Sequence, residues 1–413
     1  MDGFYFRSKI MVHFKTVDDA ISFIHSRPNT GHKVSLERMY TLLKALGNPN
    51  EKLPPAIHVA GTNGKGSVST MCSYILAAQN KRVGLFVSPF IIDFRERIQI
   101  NNQFIEPEDL RQVTEDVANV LKQVDEKLYP DIPVEFEVLT AIALTYFSRQ
   151  SLDALVVEVG IGGKYDSTNV LSQAKVAVIT SIGFDHMKML GDTIPKIAQQ
   201  KAGIIHSGMR VVIGKLPESA QQVISEVSDQ PPISGKINEF DATLPGEFQH
   251  MNTATAVAAV RAYDATIDDA IIRRGLDMVT IPARYEIVKQ APITILDGAH
   301  NAQGIEQLVL SLRYQFPNQK ITLIIGSLAD KNVADTFTNI LSHTNFRLIL
   351  VPFVGPNGRH GLDIQETLVQ HQQNQRLISF DSWQTAYQHV GHDEVVALTG
   401  SLYFVSEVRK SLK

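Results

Sequence analysis

The 413-residue chain has a single cysteine, Cys72, and a single tryptophan, Trp383. One thiol rules out an intrachain disulfide framework and favours a reducing compartment over secretion. The lack of a Cys/His cluster argues against structural zinc. Neither sign of charge dominates: 39 Lys+Arg face 43 Asp+Glu, a formal net charge of −4. That balance gives no basic footprint for a nucleic-acid binder or a membrane-surface protein. No stretch approaches the roughly 20 consecutive apolar residues of a membrane-spanning helix. The opening residues, MDGFYFRSKIMVHF, contain Asp2, Arg7, Lys9 and His13 and no continuous apolar run, so they do not read as a signal peptide. Cytoplasmic residence is the default expectation. Low-complexity blocks and fixed-period repeats are absent too.

The pattern that is present is alternation. Short Val- and Ile-rich runs recur at Ile57–Ala60, Val83–Val87, Ala154–Val159, Lys175–Thr180, Arg210–Ile213, Ile293–Leu296, Ile321–Ile325, Leu348–Val351 and Val395–Leu398. Such runs fit strands buried on both faces. Between them lie amphipathic segments at Ser67–Gln79, Pro107–Leu128, Glu137–Ser148, Pro195–Gly203, Gly304–Phe316 and Ile364–Gln373. This order predicts an α/β protein with mainly parallel sheets. A fresh strand–helix series after Pro282–Pro292 divides the chain into an N-terminal domain over residues 1–287 and a smaller C-terminal α/β domain over 288–413.

The strongest local signal is Gly61-Thr62-Asn63-Gly64-Lys65-Gly66-Ser67, between a strand and a helix. Free N–H groups and the positive end of a helix dipole make such a turn an anion site. The glycines permit close backbone approach. Lys65 would reach the β/γ-phosphates and Ser67 would face Mg²⁺. The spacing departs from the general P-loop pattern, whose first glycine would fall at Val59, and Gly66 intervenes before Ser67.

Other candidates lie at strand ends, where open α/β sheets bind ligands. Glu158 ends an apolar run, a costly place for a carboxylate unless it is paired or metal-bound. Asp185-His186 follows Val176–Thr180. His186 is either a metal ligand or a histidine hydrogen-bonded at a strand end. Lys201, near the end of a helical stretch, reads by itself as a surface lysine suited to the dipole. Asn252 can act as an N-cap. Asp297-Gly298-Ala299-His300-Asn301 follows another strand, as does Thr399-Gly400-Ser401. Both can also be simple turns. Trp383 and Cys72 read as packing residues.

The glycine-rich heptapeptide resembles the nucleotide loop of the Mur ligase superfamily, in the form of its folylpolyglutamate synthase/dihydrofolate synthase family. The match continues in order through Leu36-Glu37-Arg38-Met39, Ser88-Pro89-Phe90 with Arg95-Glu96-Arg97-Ile98 (an Ω-loop in that family), and Glu158 to Gly163. Beyond these lie Asp166-Ser167-Thr168-Asn169, Asp185-His186, Lys201-Ala202-Gly203-Ile204, Pro282-Ala283-Arg284, Asp297 to Asn301, Asp330-Lys331 and Thr399 to Tyr403. The resemblance implies a ligase that uses ATP and Mg²⁺, with two ions expected, and joins L-glutamate to a folate γ-carboxylate or to dihydropteroate through an acyl phosphate. It implies ATP contacts from Thr62, Asn63, Gly64, Lys65, Gly66, Ser67, Asn252, Arg284 and Asp297. Metal contacts would come from Ser67, Ser88, Glu158, His186 and a carbamylated Lys201. Arg38, His300 and Ser401 fall on the substrate side, and Lys65, His186, Lys201 and His300 carry catalysis. A monomer acting on small molecules, with no nucleic-acid or membrane partner, is expected. Two alternatives stay open: a Mur-type or cyanophycin-type ligase on another acid, and a non-ligase P-loop nucleotide-binding protein.

Overall fold

Two sheets organise the molecule. The structure, a computed structural model, describes residues 11–28, 35–240, 244–331, 333–355 and 358–412. The leader reading therefore rests mostly on residues 1–10, outside the described set.

The first sheet contains β1 (Ala56–Ala60), β2 (Val83–Phe86), β3 (Ile98–Ile100), β4 (Gln103–Phe104), β5 (Ala154–Glu158), β6 (Ala174–Ile179), β7 (Arg210–Ile213) and β8 (Ile233–Ser234). Their order is β4-β3-β2-β5-β1-β6-β7-β8. The core pairs are parallel, while β2–β3 and β3–β4 form an antiparallel edge. Strands β1 and β5 are buried at every position, as two-faced coverage by helices requires. One face packs on helices Glu37–Ala45, Pro107–Leu128 and Glu135–Ser148. The other packs on Lys65–Ala77, Glu247–Tyr263 and Asp269–Asp277.

The second sheet contains β9 (Glu286–Gln290), β10 (Ile293–Leu296), β11 (Ile321–Ile325), β12 (Phe346–Leu350), β13 (Leu377–Ser379) and β14 (Val395–Thr399) in the order β13-β12-β11-β14-β10-β9. Only β9 runs antiparallel, against β10. Trp383 is buried among apolar residues of this half, including Ile349 and Leu398, and Cys72 is buried on the phosphate-loop helix.

The alternation in the sequence thus yields two α/β sheets of mainly parallel strands, and each expected strand lies within two residues of an observed one. The helix expected at Ser67–Gln79 starts earlier, at Lys65, because Gly64 takes a left-handed conformation (φ 84°) at its N-cap. The short N-terminal helices Val17–His25 and Glu37–Ala45 and the β3–β4 edge were not foreseen.

Candidate active site

Strand order decides what meets. β1 lies between β5 and β6, so the loop after β1, Glu158 at the end of β5, and the turn after β6 converge at one sheet edge. This is the carboxyl edge, where such sheets bind ligands. The loop is laced to the β6 exit. Thr180 Oγ1 donates to the Asn63 carbonyl (2.6 Å), Ser181 Oγ accepts from the Asn63 N–H (2.9 Å), and Thr62 Oγ1 accepts from the Gly183 N–H (3.0 Å). Lys65 Nζ folds back onto the Gly61 and Thr62 carbonyls (3.0 and 3.3 Å). Burial lowers its ammonium from the ordinary lysine range, against the pull of Glu158 and Asp185.

Glu158 is 3% exposed and accepts the Ser88 N–H at 3.0 Å. Burial raises its carboxyl above the usual range, opposed by Lys65, the Ser88 N–H and Arg284. A Cβ on Gly66 would sit 3.5 Å from Glu158 Oε2, so the carboxylate faces the first turn of the phosphate-loop helix. Ser67, in the same turn, is buried.

Lys201 is not a surface lysine. It is 4% exposed, and its Nζ donates to the Gly61 carbonyl at 2.8 Å. Burial, reinforced by the Lys65 charge, lowers its ammonium to about 7. A free amine is therefore accessible near neutral pH, as reaction with CO₂ requires.

Asp185, which the sequence offered without a role of its own beside His186, is a hub. Its Oδ1 accepts from Lys331 Nζ at 2.6 Å and its Oδ2 from Asn301 Nδ2 at 3.2 Å. The His300 and His186 Nε2 atoms stand 3.7 and 3.9 Å from the same carboxylate. Burial would raise the Asp185 carboxyl, but His300, His186 and Lys331 together hold it well below the usual range. His186 itself sits in a left-handed conformation (φ 49°). Burial lowers its imidazole to about 4, leaving it neutral with a lone pair.

Asp185 belongs to the first sheet's edge, whereas Lys331, Asn301 and His300 belong to the second half. Further bonds cross the same cleft: Asn301 Nδ2 donates to Asn63 Oδ1 (3.1 Å) and Asn63 Nδ2 to Gln303 Oε1 (3.0 Å). Asn301 also caps its own helix, Ala302–Gln315, accepting the Gly304 N–H.

In the second half, parallel pairing of β10 and β14 sets Asp297–Asn301 beside Thr399–Ser401. The Gly400 N–H and Thr399 Oγ1 both donate to the Ala299 carbonyl (2.9 and 3.1 Å). Asp297 is buried and accepts the Tyr285 and Ala299 N–H groups, both at 2.8 Å. Burial raises its carboxyl, countered first by Arg284. The Arg284 guanidinium lies over Gly298, with Nη1 2.8 Å from where a Cβ would be. Its charge also bears on Glu158, so Arg284 addresses both lobes. Ser401 is buried at the start of Leu402–Leu412.

One expectation changes. Asn252 is not an N-cap: the helix begins at Glu247, and Asn252 lies inside it, bonded to Gln249 and aimed at Gly64. Gln249 and Asn252, polar residues of its first turns, are themselves buried. Arg38 is 5% exposed, and its guanidinium is held by Glu137 (3.0 Å) and Asp131. Those two carboxylates fix where its guanidinium stands.

Mg²⁺ fits the donor chemistry. No group of three or more His, Cys, Asp or Glu side chains suited to a metal occurs among the described residues. Glu158 nevertheless faces the phosphate loop with an unfavourably buried charge, beside the hydroxyl residues Ser67 and Ser88, and hard cations take oxygen ligands shared with phosphates.

Comparison with known proteins agrees with this architecture. Residues 59–231 match the Mur ligase middle domain and residues 283–402 the Mur ligase glutamate ligase domain. The fold and its two facing clusters are therefore those of an ATP-dependent ligase. The folylpolyglutamate synthase of Lacticaseibacillus casei is 35% identical over 95% of this chain and 98% of its own. The dihydrofolate synthase/folylpolyglutamate synthase of Bacillus subtilis (strain 168) is 34% identical over 97% of this chain and 100% of its own. The solved structure of E. coli FolC in complex with DHPP and ADP superposes with a TM-score of 0.82, at 28% identity, covering 96% of this chain and 97% of that one. The chain belongs to the folylpolyglutamate synthase/dihydrofolate synthase family. No helix among the described residues is long and apolar enough to cross a membrane.

Proposed function

We propose that this chain uses ATP to join L-glutamate to the γ-carboxylate of a folate, with dihydropteroate as the second acid to test. The reading is carried by one observation: the phosphate loop and Glu158 on one sheet edge meet the Asp297–Asn301 turn across a cleft bridged by Asn63–Asn301 and Asp185–Lys331. The names of the family's members support the choice of acid and amine.

A carboxylate is a poor electrophile toward an amine. Its oxygen attacks the γ-phosphorus of ATP, an O–P bond forms, and ADP leaves with the electrons of the broken bond. Glutamate's amine then attacks the acyl phosphate and expels phosphate. The chain supplies position and electrostatics. Loop N–H groups from Thr62 to Ser67 and the Lys65 ammonium cradle the phosphates. Arg284 offers a guanidinium fork to them, with Asn252 and Asp297 on the rest of the nucleotide. Glu158, Ser67 and Ser88 would hold one Mg²⁺, and His186 with a carbamylated Lys201 a second. When bound, such ions neutralise charge on the phosphoryl oxygens. His300 and Ser401 line the glutamate side. The chain acts as a cytoplasmic monomer whose domains divide near residue 287.

Glutamate-dependent phosphate release tests the reading with tetrahydrofolate, dihydropteroate and a UDP-muramyl acid offered in parallel. Turnover with either pteridine acid supports it. Turnover with the UDP-muramyl acid alone moves the chain to a Mur-type reaction, and release independent of glutamate removes the ligase assignment.

A further inference from the structure

Arg97 has no task in the reading above, yet its surroundings are unusual. It closes the short turn Phe94–Arg97 and is 7% exposed. Its guanidinium carbon stands 5.2 Å from the Phe90 ring centre and 5.3 Å from that of Phe94. Its Nε is buried without a hydrogen-bond partner, and no ion pair or side-chain hydrogen bond to this guanidinium is found among the described residues.

The nearest loop carboxylates are already engaged. Asp93 is held by Arg95 at 2.7 Å. Glu96 accepts the N–H groups of Ile91, Ile92 and Asp93 at 2.7, 2.8 and 2.9 Å. Arg38, the comparably buried arginine, is by contrast paired with Glu137. A buried charge without a counter-ion costs several kcal/mol, and cation–π contact returns only about 1–2 kcal/mol. The deficit favours an anion brought in from outside.

The position says which anion. Ser88, at the start of the same loop, donates its N–H to Glu158 beside the phosphate loop. Ile91, midway, is buried in the apolar core of the second half, and Ser406 Oγ donates to its carbonyl. The loop therefore spans from the nucleotide edge to the helix that follows Ser401. Burial lowers the Arg97 guanidinium, and Tyr403, Glu135 and Glu158 oppose that shift, so both lobes lie within its electrostatic reach.

We propose that Arg97 receives the carboxylate of the acid to be activated. The inference rests on the ligase reading. Carboxylate and γ-phosphate are both anions and must approach within bonding distance. A guanidinium packed against two adjacent rings offsets their repulsion and orients the attacking oxygen. The bond formed is carboxylate O to γ-phosphorus, and the bond broken joins that phosphorus to the β–γ bridging oxygen, which departs with ADP.

The test is steady-state kinetics of the full chain with tetrahydrofolate, ATP and L-glutamate varied in turn. Arg97→Met is expected to raise KM for tetrahydrofolate roughly 30-fold or more. Its KM values for ATP and glutamate should stay within about threefold of wild type. Arg97→Lys should recover part of the loss, and methylguanidinium added to Arg97→Ala should restore part of the turnover. Equal rises in all three KM values, or a lowered Tm with an unchanged acid KM, would overturn the proposal in favour of a packing role. Absent turnover in the wild-type chain would instead remove the ligase reading beneath it.

Discussion

Individual side chains make the sharpest commitments. Glu158 and Lys65 stand at the same sheet edge with their charges perturbed by burial. Lys65→Ala and Glu158→Ala should each abolish ATP-dependent ligation while circular dichroism and Tm stay near wild type. Near-normal turnover in either variant removes it from the site. Lys201→Ala should also lose ligation, with part regained in acetate, because a small carboxylate can supply the oxygens of a carbamate. Full activity in unrescued Lys201→Ala would eliminate that role. His58 offers a pH test outside the cleft. It is fully buried on β1, bonded to Thr168 Oγ1 at 2.8 Å, and burial lowers its imidazole to about 4. Above pH 6.5 both folded and unfolded chains keep it neutral, so its titration adds nothing. Between 6.5 and 4 only the unfolded chain takes up the proton, and stability falls as the pH drops. The full loss is about 3 kcal/mol, reached below pH 4. Urea unfolding from pH 7 to 4 measures it, and His58→Gln should flatten that part of the profile.

At the level of elements, the strands were readable because parallel strands covered on both faces carry continuous apolar runs. The β1 and β5 segments illustrate this, each with every position buried. Helix starts were less readable. The helix that Asn252 would cap begins at Glu247, since buried polar positions such as Gln249 and Asn252 hide the apolar period. The phosphate-loop helix begins at Lys65 because Gly64 adopts φ 84°, a conformation with little cost only for glycine. A Cβ there would also meet Asn252 Oδ1 at 2.5 Å. Gly64→Ala should therefore weaken ATP binding at least about tenfold, since the left-handed backbone alone costs about 1–2 kcal/mol. Calorimetric titration with ATP checks this, and an unchanged Kd would mean that the loop tolerates the added methyl group.

For the whole molecule, the consequential feature is the polar bridge between the two sheets. Lys331 crosses to Asp185, and Asn301 to Asn63, with the half-buried carboxylate of Asp185 at the centre. Lys331→Ala should loosen the lobes, seen as a larger radius of gyration in solution scattering, and lower kcat for ligation by about tenfold or more if closure completes the site. Unchanged scattering together with unchanged kcat would show that the bridge is incidental to closure.

The sequence by itself determined the kinds of element and most of the chemistry. Val- and Ile-rich runs, the glycine-rich turn and acidic strand ends are local patterns, and local patterns survive in one dimension. Tertiary structure alone decided the partnerships. Strand order brought Glu158 beside the phosphate loop, packing buried Lys201, and the fold gave Arg38 an internal partner while leaving the Arg97 guanidinium without one among the described residues. Those outcomes depend on residues far apart in the chain, whose distance and desolvation no local pattern encodes.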